Sequence, residues 1–383
     1  MTTATTPTET PVAPIHAQPS SRDNPEILKL LKVMRSYSAS DLHIKHNRRP
    51  IFRIHGVPLS QDKLPVLQHE QIRRLFQEVT PPAKWEKFER EGTSEFSLEI
   101  AQFGRFRTNI FMQRGVMSAA IRRISDAIPD LDSLNLPEGV KKIVDLGEGL
   151  VLVAGVTGSG KTTTLASIME IINKTQREHI ITFEDPIEYV YEDKLSFVNQ
   201  REVGSDLESF GAAIRYVLRQ DPDVILIGEL RDIETFEVAL TAAETGHLVF
   251  ATIHASTATS VISRLLDLYP TERHNMLRGL LSTHLKAILC QRLLKGCRED
   301  VPRVPACELM LSNGSIQEAI QKGEDGKILE LIKLARDDGM IDFNTSLHDL
   351  VRKGLITQKM ALAYSPNREA LKMVLRGITT NTA

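Results

Sequence analysis

Leu150-Val151-Leu152-Val153-Ala154-Gly155-Val156-Thr157-Gly158-Ser159-Gly160-Lys161-Thr162 decides how the larger part of this chain folds. Its continuous apolar run, ending at a glycine, fits a strand buried on both faces. Residues 155–162 then satisfy the pattern G-x-x-x-x-G-K-[ST] in full. With average amino-acid usage, a chain this long matches that pattern by chance roughly once in a hundred. The next residues place Leu165, Ile168, Met169 and Ile172 at helical spacing. Strand, glycine-rich turn and helix in succession separate a phosphate loop from an incidental glycine turn.

The residue types explain themselves chemically. Gly155, Gly158 and Gly160 let the backbone fold tightly and approach an anion without Cβ clashes. Successive N–H groups from Gly155, Val156, Thr157, Gly158, Ser159 and Gly160 then point at phosphates, at the positive end of a helix. Lys161 is expected to reach the β- and γ-phosphates of ATP, and the Thr162 hydroxyl to ligate Mg2+. Thr163 completes the expected nucleotide contacts.

A phosphate loop alone binds nucleotide. Hydrolysis also needs carboxylates that hold magnesium and orient the attacking water. Their place is at the C-terminal ends of the parallel strands beside the loop. Residues 180–183 run into Glu184-Asp185-Pro186, and residues 223–227 run into Gly228-Glu229. Glu184 is the favoured water-activating carboxylate and Glu229 the favoured magnesium carboxylate, with the reverse assignment equally allowed by spacing. Asp185 can instead cap the turn before Pro186, and Glu188 reads as structural or peripheral. His247 and His254 bracket a third apolar run. Their separation of seven puts them on opposite faces of one strand, some ~20 Å apart at ~3.3 Å per residue, so they cannot share a metal ion. His254 alone ends near the expected γ-phosphate.

The remaining chain divides by pattern. Residues 1–24 are rich in Thr, Pro, Ala and Ser with almost no charge, the composition of a disordered tail. Residues 25–128 mix short strands (40–44, 51–54, 96–100, 105–111 and 119–124) with helices near 26–37 and 68–77, which indicates a small α+β domain. A linker is expected at 129–137, with proline at each end. From 138 to 383 the expectation is an α/β domain whose strands at 150–154, 180–183, 224–227 and 248–253 form a parallel sheet. Its C-terminal region reads as helical from about Thr271, with helices at 278–295, 315–322, 328–337, 345–353 and 368–376. The formal net charge of −2 and the lack of a basic, aromatic-bearing segment argue against a nucleic-acid partner. The three cysteines, Cys290, Cys297 and Cys307, form no CxxC pair. With no long apolar run and no visible secretory signal, a cytoplasmic location is expected.

Four ordered boxes resemble the PilT/PilU branch of the type II/type IV secretion ATPase superfamily. They are Gly155 to Thr162, the Asp-box stretch Ile181-Thr182-Phe183-Glu184-Asp185-Pro186-Ile187-Glu188-Tyr189, the Walker B region from Arg219 through Gly228-Glu229-Leu230-Arg231-Asp232, and the His box Ala243-Glu244-Thr245-Gly246-His247 through His254-Ala255. The resemblance implies an N-terminal PAS-like domain and a RecA-like P-loop motor. It implies a homohexamer at the inner membrane, at the pilus base, that couples ATP hydrolysis to type IV pilus retraction in twitching motility. The implied partners are an inner-membrane pilus platform protein and, in one alternative, a PilT paralogue beside which this chain acts as an accessory nucleotide-binding subunit. That alternative comes from the 314–324 and 339–344 segments and the Asn367-containing tail, which are similar to PilU. The resemblance also implies that arginines of the N-terminal domain reach the nucleotide, with Arg107 and either Arg122 or Arg123 matching best. The tetracysteine zinc element common in extension and secretion ATPases has no counterpart here.

Overall fold

The computed structural model describes residues 25–54, 56–100, 103–124, 127–203, 206–207 and 216–376. The tail expected at 1–24 lies outside them. The chain separates into two compact units, 1–124 and 125–383.

In the first unit, β1 (Asp41–Lys45), β2 (Ile51–Ile54), β3 (Val57–Ser60), β4 (Thr93–Ile100), β5 (Gly104–Gln113) and β6 (Val116–Arg123) form an antiparallel sheet in the order β3-β2-β1-β6-β5-β4. Alternation along β4 buries Phe96, Leu98 and Ile100. These residues share one core with Leu42, Ile44, Phe52, Phe106, Ile110 and Ile121, and with residues of α1 (Pro25–Ser36), α2 (His69–Gln77) and α3 (Pro82–Glu91). At one register Asp41 lies opposite both Arg53 and Arg122, and Arg122 lies opposite Arg107. Paired residues share a face, so three arginines and an aspartate form a row across the sheet.

The second unit is built on seven strands. These are β7 (Gly149–Ala154), β8 (His179–Glu184), β9 (Phe197–Glu202), β10 (Val224–Ile227), β11 (Leu248–Ile253), β12 (Leu285–Lys295) and β13 (Arg303–Leu311), in the order β13-β12-β7-β11-β10-β8-β9. Every neighbouring pair is parallel except β12 with β13. The central strands are buried on both faces, which is why their sequences are apolar without alternation. Leu150, Leu152 and Ala154 of β7 face one core cluster, and Val151 and Val153 face the other. Each such leucine or valine removed from water contributes roughly 1.5–3 kcal/mol. α4 (Lys141–Val144) and α5 (Lys161–Thr175) cover the second cluster, and α6 (Ile233–Glu244), α7 (Ala258–Leu266) and α8 (His274–His284) cover the first.

The helical reading of the C-terminal region is corrected. Residues 278–295 are not one helix, because α8 ends at His284 and β12 begins at Leu285. The C-terminal region is therefore not purely helical. It opens with the β12–β13 hairpin, followed by α9 (Gly314–Lys322), α10 (Ile328–Leu334), α11 (Phe343–Arg352), α12 (Gln358–Tyr364) and α13 (Arg368–Leu375). The cause is two-sided burial. Ile288 and Cys290 point into one cluster and Ala287 and Leu289 into the other, and an apolar run buried all round reads the same as helix or strand. The stretch expected as a linker, 129–137, contains a 3-10 turn at Leu131–Leu134, and Leu131 is buried in the second unit's core. Ser167 of α5 also donates to the Pro129 carbonyl at 2.7 Å. Among the described residues, no helix is long and apolar enough to cross a membrane.

β13 carries one charged group inside the core. Glu308 is 4% exposed and accepts the Ala258 N–H at 2.7 Å, at the start of α7. Burial pushes its carboxyl up to about 7, and Asp342 adds to the rise, against the Ala258 N–H and Arg292. A carboxyl raised above its unfolded value holds its proton in the folded chain while the unfolded chain has lost it. Its contribution to stability therefore falls as pH rises from about 4.5 towards about 7 and is flat above. Glu308→Gln keeps an acceptor for Ala258 and removes the titration. In denaturant titrations at pH 5 and pH 8, the stability of Glu308→Gln relative to the parent should rise by about 2–3 kcal/mol between the two. An unchanged difference would show that Glu308 is ionised throughout.

Candidate nucleotide and hydrolysis site

The phosphate loop joins β7 to α5. Gly155 adopts φ +154°, and a Cβ there would lie 2.3 Å from Ser159 Oγ and 2.6 Å from the Gln291 carbonyl on β12. No side chain fits. Gly158 (φ +79°) and Gly160 (φ +95°) have open space but left-handed backbone, the conformation glycine adopts without strain. Gln291 also donates from Nε2 to Thr164 Oγ1 at 2.9 Å, so β12 holds both ends of the loop. Ser159 is buried, and its Oγ, which has no hydrogen-bond partner in the structure, lies against Gly155. Lys161 Nζ donates to the carbonyls of Gly155 (2.8 Å) and Val156 (3.3 Å), which holds the ammonium over the loop. Burial lowers the Lys161 pKa, while the nearby carboxylates of Glu229 and Glu188 favour the charged form. Glu188, read as structural or peripheral in the sequence, thus lies near enough to favour the charged Lys161. Thr163 Oγ1 shares a 3.0 Å hydrogen bond with the Tyr189 hydroxyl.

Parallel register brings the acidic residues to the same edge. Phe183 is level with Ile227, and Ile227 with Ala251. The segments leaving β8, β10 and β11 therefore begin at the same edge, within two residues of one another in register. Gly228 N–H donates to the Phe183 carbonyl and Leu230 N–H to the Thr252 carbonyl, each at 2.8 Å, which fixes the turn bearing Glu229 between the flanking strands. Glu229 Oε1 lies 2.8 Å from His254 Nε2, and its Oε2 accepts from Arg231 Nε at 2.6 Å. Arg231 reaches on to Asp185 Oδ2 at 3.4 Å, tying the Asp box to the Walker B turn. Glu184 is 7% exposed, and its Oε1 accepts from Thr182 Oγ1 (2.7 Å) and Gln200 Nε2 (3.0 Å).

Lys161, Glu229 and His254 are thus brought together, whereas the Glu184 carboxylate is held apart from them by Thr182 and Gln200, at the end of β8. His247 lies elsewhere, with Nδ1 on Thr245 Oγ1 and the Ala242 carbonyl, both at 3.0 Å. Arg107 and Arg122 belong to the first unit. Arg107 is ion-paired with Glu95, and Arg122 Nε binds Asp41 Oδ1 at 2.9 Å. Sequence reasoning assigned no role to Arg231, Tyr189, Gln200 or Gln291. The first two lie inside the quoted boxes, where their spacing from Glu229 and Glu184 was a usable signal. Gln200 and Gln291 reach the site only through strand pairing, which the sequence does not display.

A sequence profile described as "Type II/IV secretion system protein" matches residues 26–381. The chain belongs to that family. It is 39% identical over 336 residues to the "Type IV pilus retractation ATPase PilT" of Pseudomonas aeruginosa, covering 88% of this chain and 97% of that protein. It is 37% identical over 351 residues to the "Type IV pilus ATPase PilU" of the same organism, covering 92% and 91%. A crystal structure of the pilus retraction motor PilT with bound ADP superposes with a TM-score of 0.85 at 41% identity, covering 90% of this chain and 98% of that one.

The two kinds of glycine give different expectations. Gly155→Ala must displace Ser159 or the Gln291 backbone and should weaken nucleotide binding roughly 10- to 100-fold. Gly158→Ala meets only backbone strain and should cost less. Titration with a fluorescent ATP analogue on folded protein compares them. Equal losses would contradict the packing read here.

Proposed function

We infer that this chain is a type IV pilus retraction ATPase. The observation that carries the reading is the phosphate loop with Lys161 close to Glu229 and its partner His254, in a family member similar to PilT along nearly its whole length. The second unit is read as RecA-like and the first as PAS-like. Residues 1–24, 25–128 and 138–383 are proposed as tail, first domain and motor, with 129–137 a connector packed on the motor through Leu131.

The donor set suits Mg2+-bound ATP. The backbone amides of residues 155–160 would take the β-phosphate side, with Thr163 at the helix start, and Lys161 would exchange its carbonyls for the γ-phosphate. Thr162 and Glu229 would hold Mg2+, most of whose remaining shell comes from phosphate and water. Bound Mg2+ supplies neutralisation of charge on the transferring phosphoryl group. Glu184, held by Thr182 and Gln200, is the group proposed to orient the attacking water. Glu229, held between His254 and Arg231, is positioned so that a change at the γ-phosphate is transmitted to the Asp box through Arg231 and Asp185. Arg107 and Arg122 are proposed to serve a nucleotide in the assembled ring, where guanidinium groups would neutralise γ-phosphate charge. The assembly is taken to be a homohexamer at the pilus base, acting on an inner-membrane platform protein.

The comparable similarity to PilU supports a second reading, an accessory subunit working beside a PilT paralogue. Purified full-length protein should release phosphate in a Mg2+-dependent way. Lys161→Ala should abolish release, and Glu229→Gln or Glu184→Gln should lower it by about 100-fold or more. Cells carrying Lys161→Ala should keep surface pili and lose retraction. Retraction that persists whenever a paralogue is present would select the accessory reading. Turnover of the parent no faster than that of Lys161→Ala would end the motor reading.

A further inference from the structure

We propose that Gln200, on the edge strand β9, is a positioning residue that holds Glu184 in its hydrolytic orientation. The proposal rests on the assignment of Glu184 made above. Gln200 lies directly opposite Thr182 in the parallel β8–β9 pair, so both side chains stand on the face that carries Glu184. Thr182 Oγ1 and Gln200 Nε2 both donate to the same oxygen, Glu184 Oε1, at 2.7 and 3.0 Å. Two donors converging on one oxygen fix the carboxylate's rotation, which a single hydrogen bond leaves free. The rest of the Gln200 amide is also engaged. Nε2 donates to the Tyr189 carbonyl at 2.8 Å, and Oε1 accepts the Tyr191 N–H at 2.9 Å.

This arrangement couples Glu184 to the phosphate loop. The Gln200 amide anchors the backbone around Tyr189, whose hydroxyl meets Thr163 next to the loop threonine. One side chain on an edge strand therefore sets both the carboxylate and the segment that touches the nucleotide-binding helix. Glutamine is suited to this because its amide offers two donors and an acceptor from one rigid plane. A buried carboxylate placed loosely costs catalysis far more than it costs binding, since orientation counts only in the reaction.

The test is steady-state ATP hydrolysis by the full chain carrying Gln200→Met, Glu184→Gln and the double substitution. Methionine keeps the length and removes the hydrogen bonds. Gln200→Met should lower kcat roughly 10- to 100-fold and leave KM for ATP within about threefold. In the Glu184→Gln background it should change kcat by less than about twofold, because the two act as one unit. A parental kcat for Gln200→Met, or an equal fractional loss in both backgrounds, overturns the proposal and leaves Glu184's role standing. Parental turnover by Glu184→Gln overturns the hydrolytic assignment of Glu184 and this proposal with it. Should Gln200→Met fail to bind ATP or to fold, Gln200→Glu serves instead. It keeps the acceptor for Tyr191 and sets a second carboxylate against Glu184, and it is expected to show the same kcat loss at unchanged KM. Parental kcat in that variant also overturns the proposal.

Discussion

The contact on which this structure depends is the approach of Gly155 to the Gln291 backbone, closer than any Cβ allows. It lets β7 turn sharply into the phosphate loop while β12 lies alongside in parallel. The same Gln291 holds Thr164 through its side chain, so the loop is pinned at its entry and just past its exit. A cradle of backbone amides is useful only if it is rigid before the phosphate arrives. Rigidity here comes from the sheet and not from the loop itself.

The second constraint is register. Residues far apart in the chain meet at one edge because β7, β11, β10 and β8 are parallel and aligned. Glu229 gains its definition from its neighbours, with His254 on one oxygen and Arg231 on the other. Arg231 then links the Walker B turn to Asp185. An anion bound at the loop would compete for the same cations.

Much of this was legible in the residues. The phosphate loop and the four central strands are marked by apolar runs that stop at glycine, carboxylate or, after β11, His254. Buried strands of a parallel sheet advertise themselves by lacking alternation. The same property concealed β12, whose two-sided burial made 285–295 look like a continuation of α8. β9 went unread for the opposite reason. Its exposed Phe197 and polar Asn199, Gln200 and Arg201 give no apolar run, and it exists because β8 offers a pairing edge. The arginine row Arg53, Arg122 and Arg107 about Asp41 likewise arises from pairing of distant strands. What the sequence hid was tertiary in origin, and it includes the side chains that orient the visible ones.

The central claim is that the glycine-built loop and its lysine receive the phosphates of Mg2+-ATP with Glu184 and Glu229 alongside. The most direct measurement is a crystal structure of the full chain with Mg2+ and a non-hydrolysable ATP analogue. The account predicts that Lys161 Nζ leaves the Gly155 and Val156 carbonyls for the γ-phosphate, that the Thr162 hydroxyl ligates Mg2+, and that Glu184 and Glu229 flank the metal and the water facing the γ-phosphate. Phosphates bound away from residues 155–162, with Lys161 still on the Gly155 carbonyl, would contradict it.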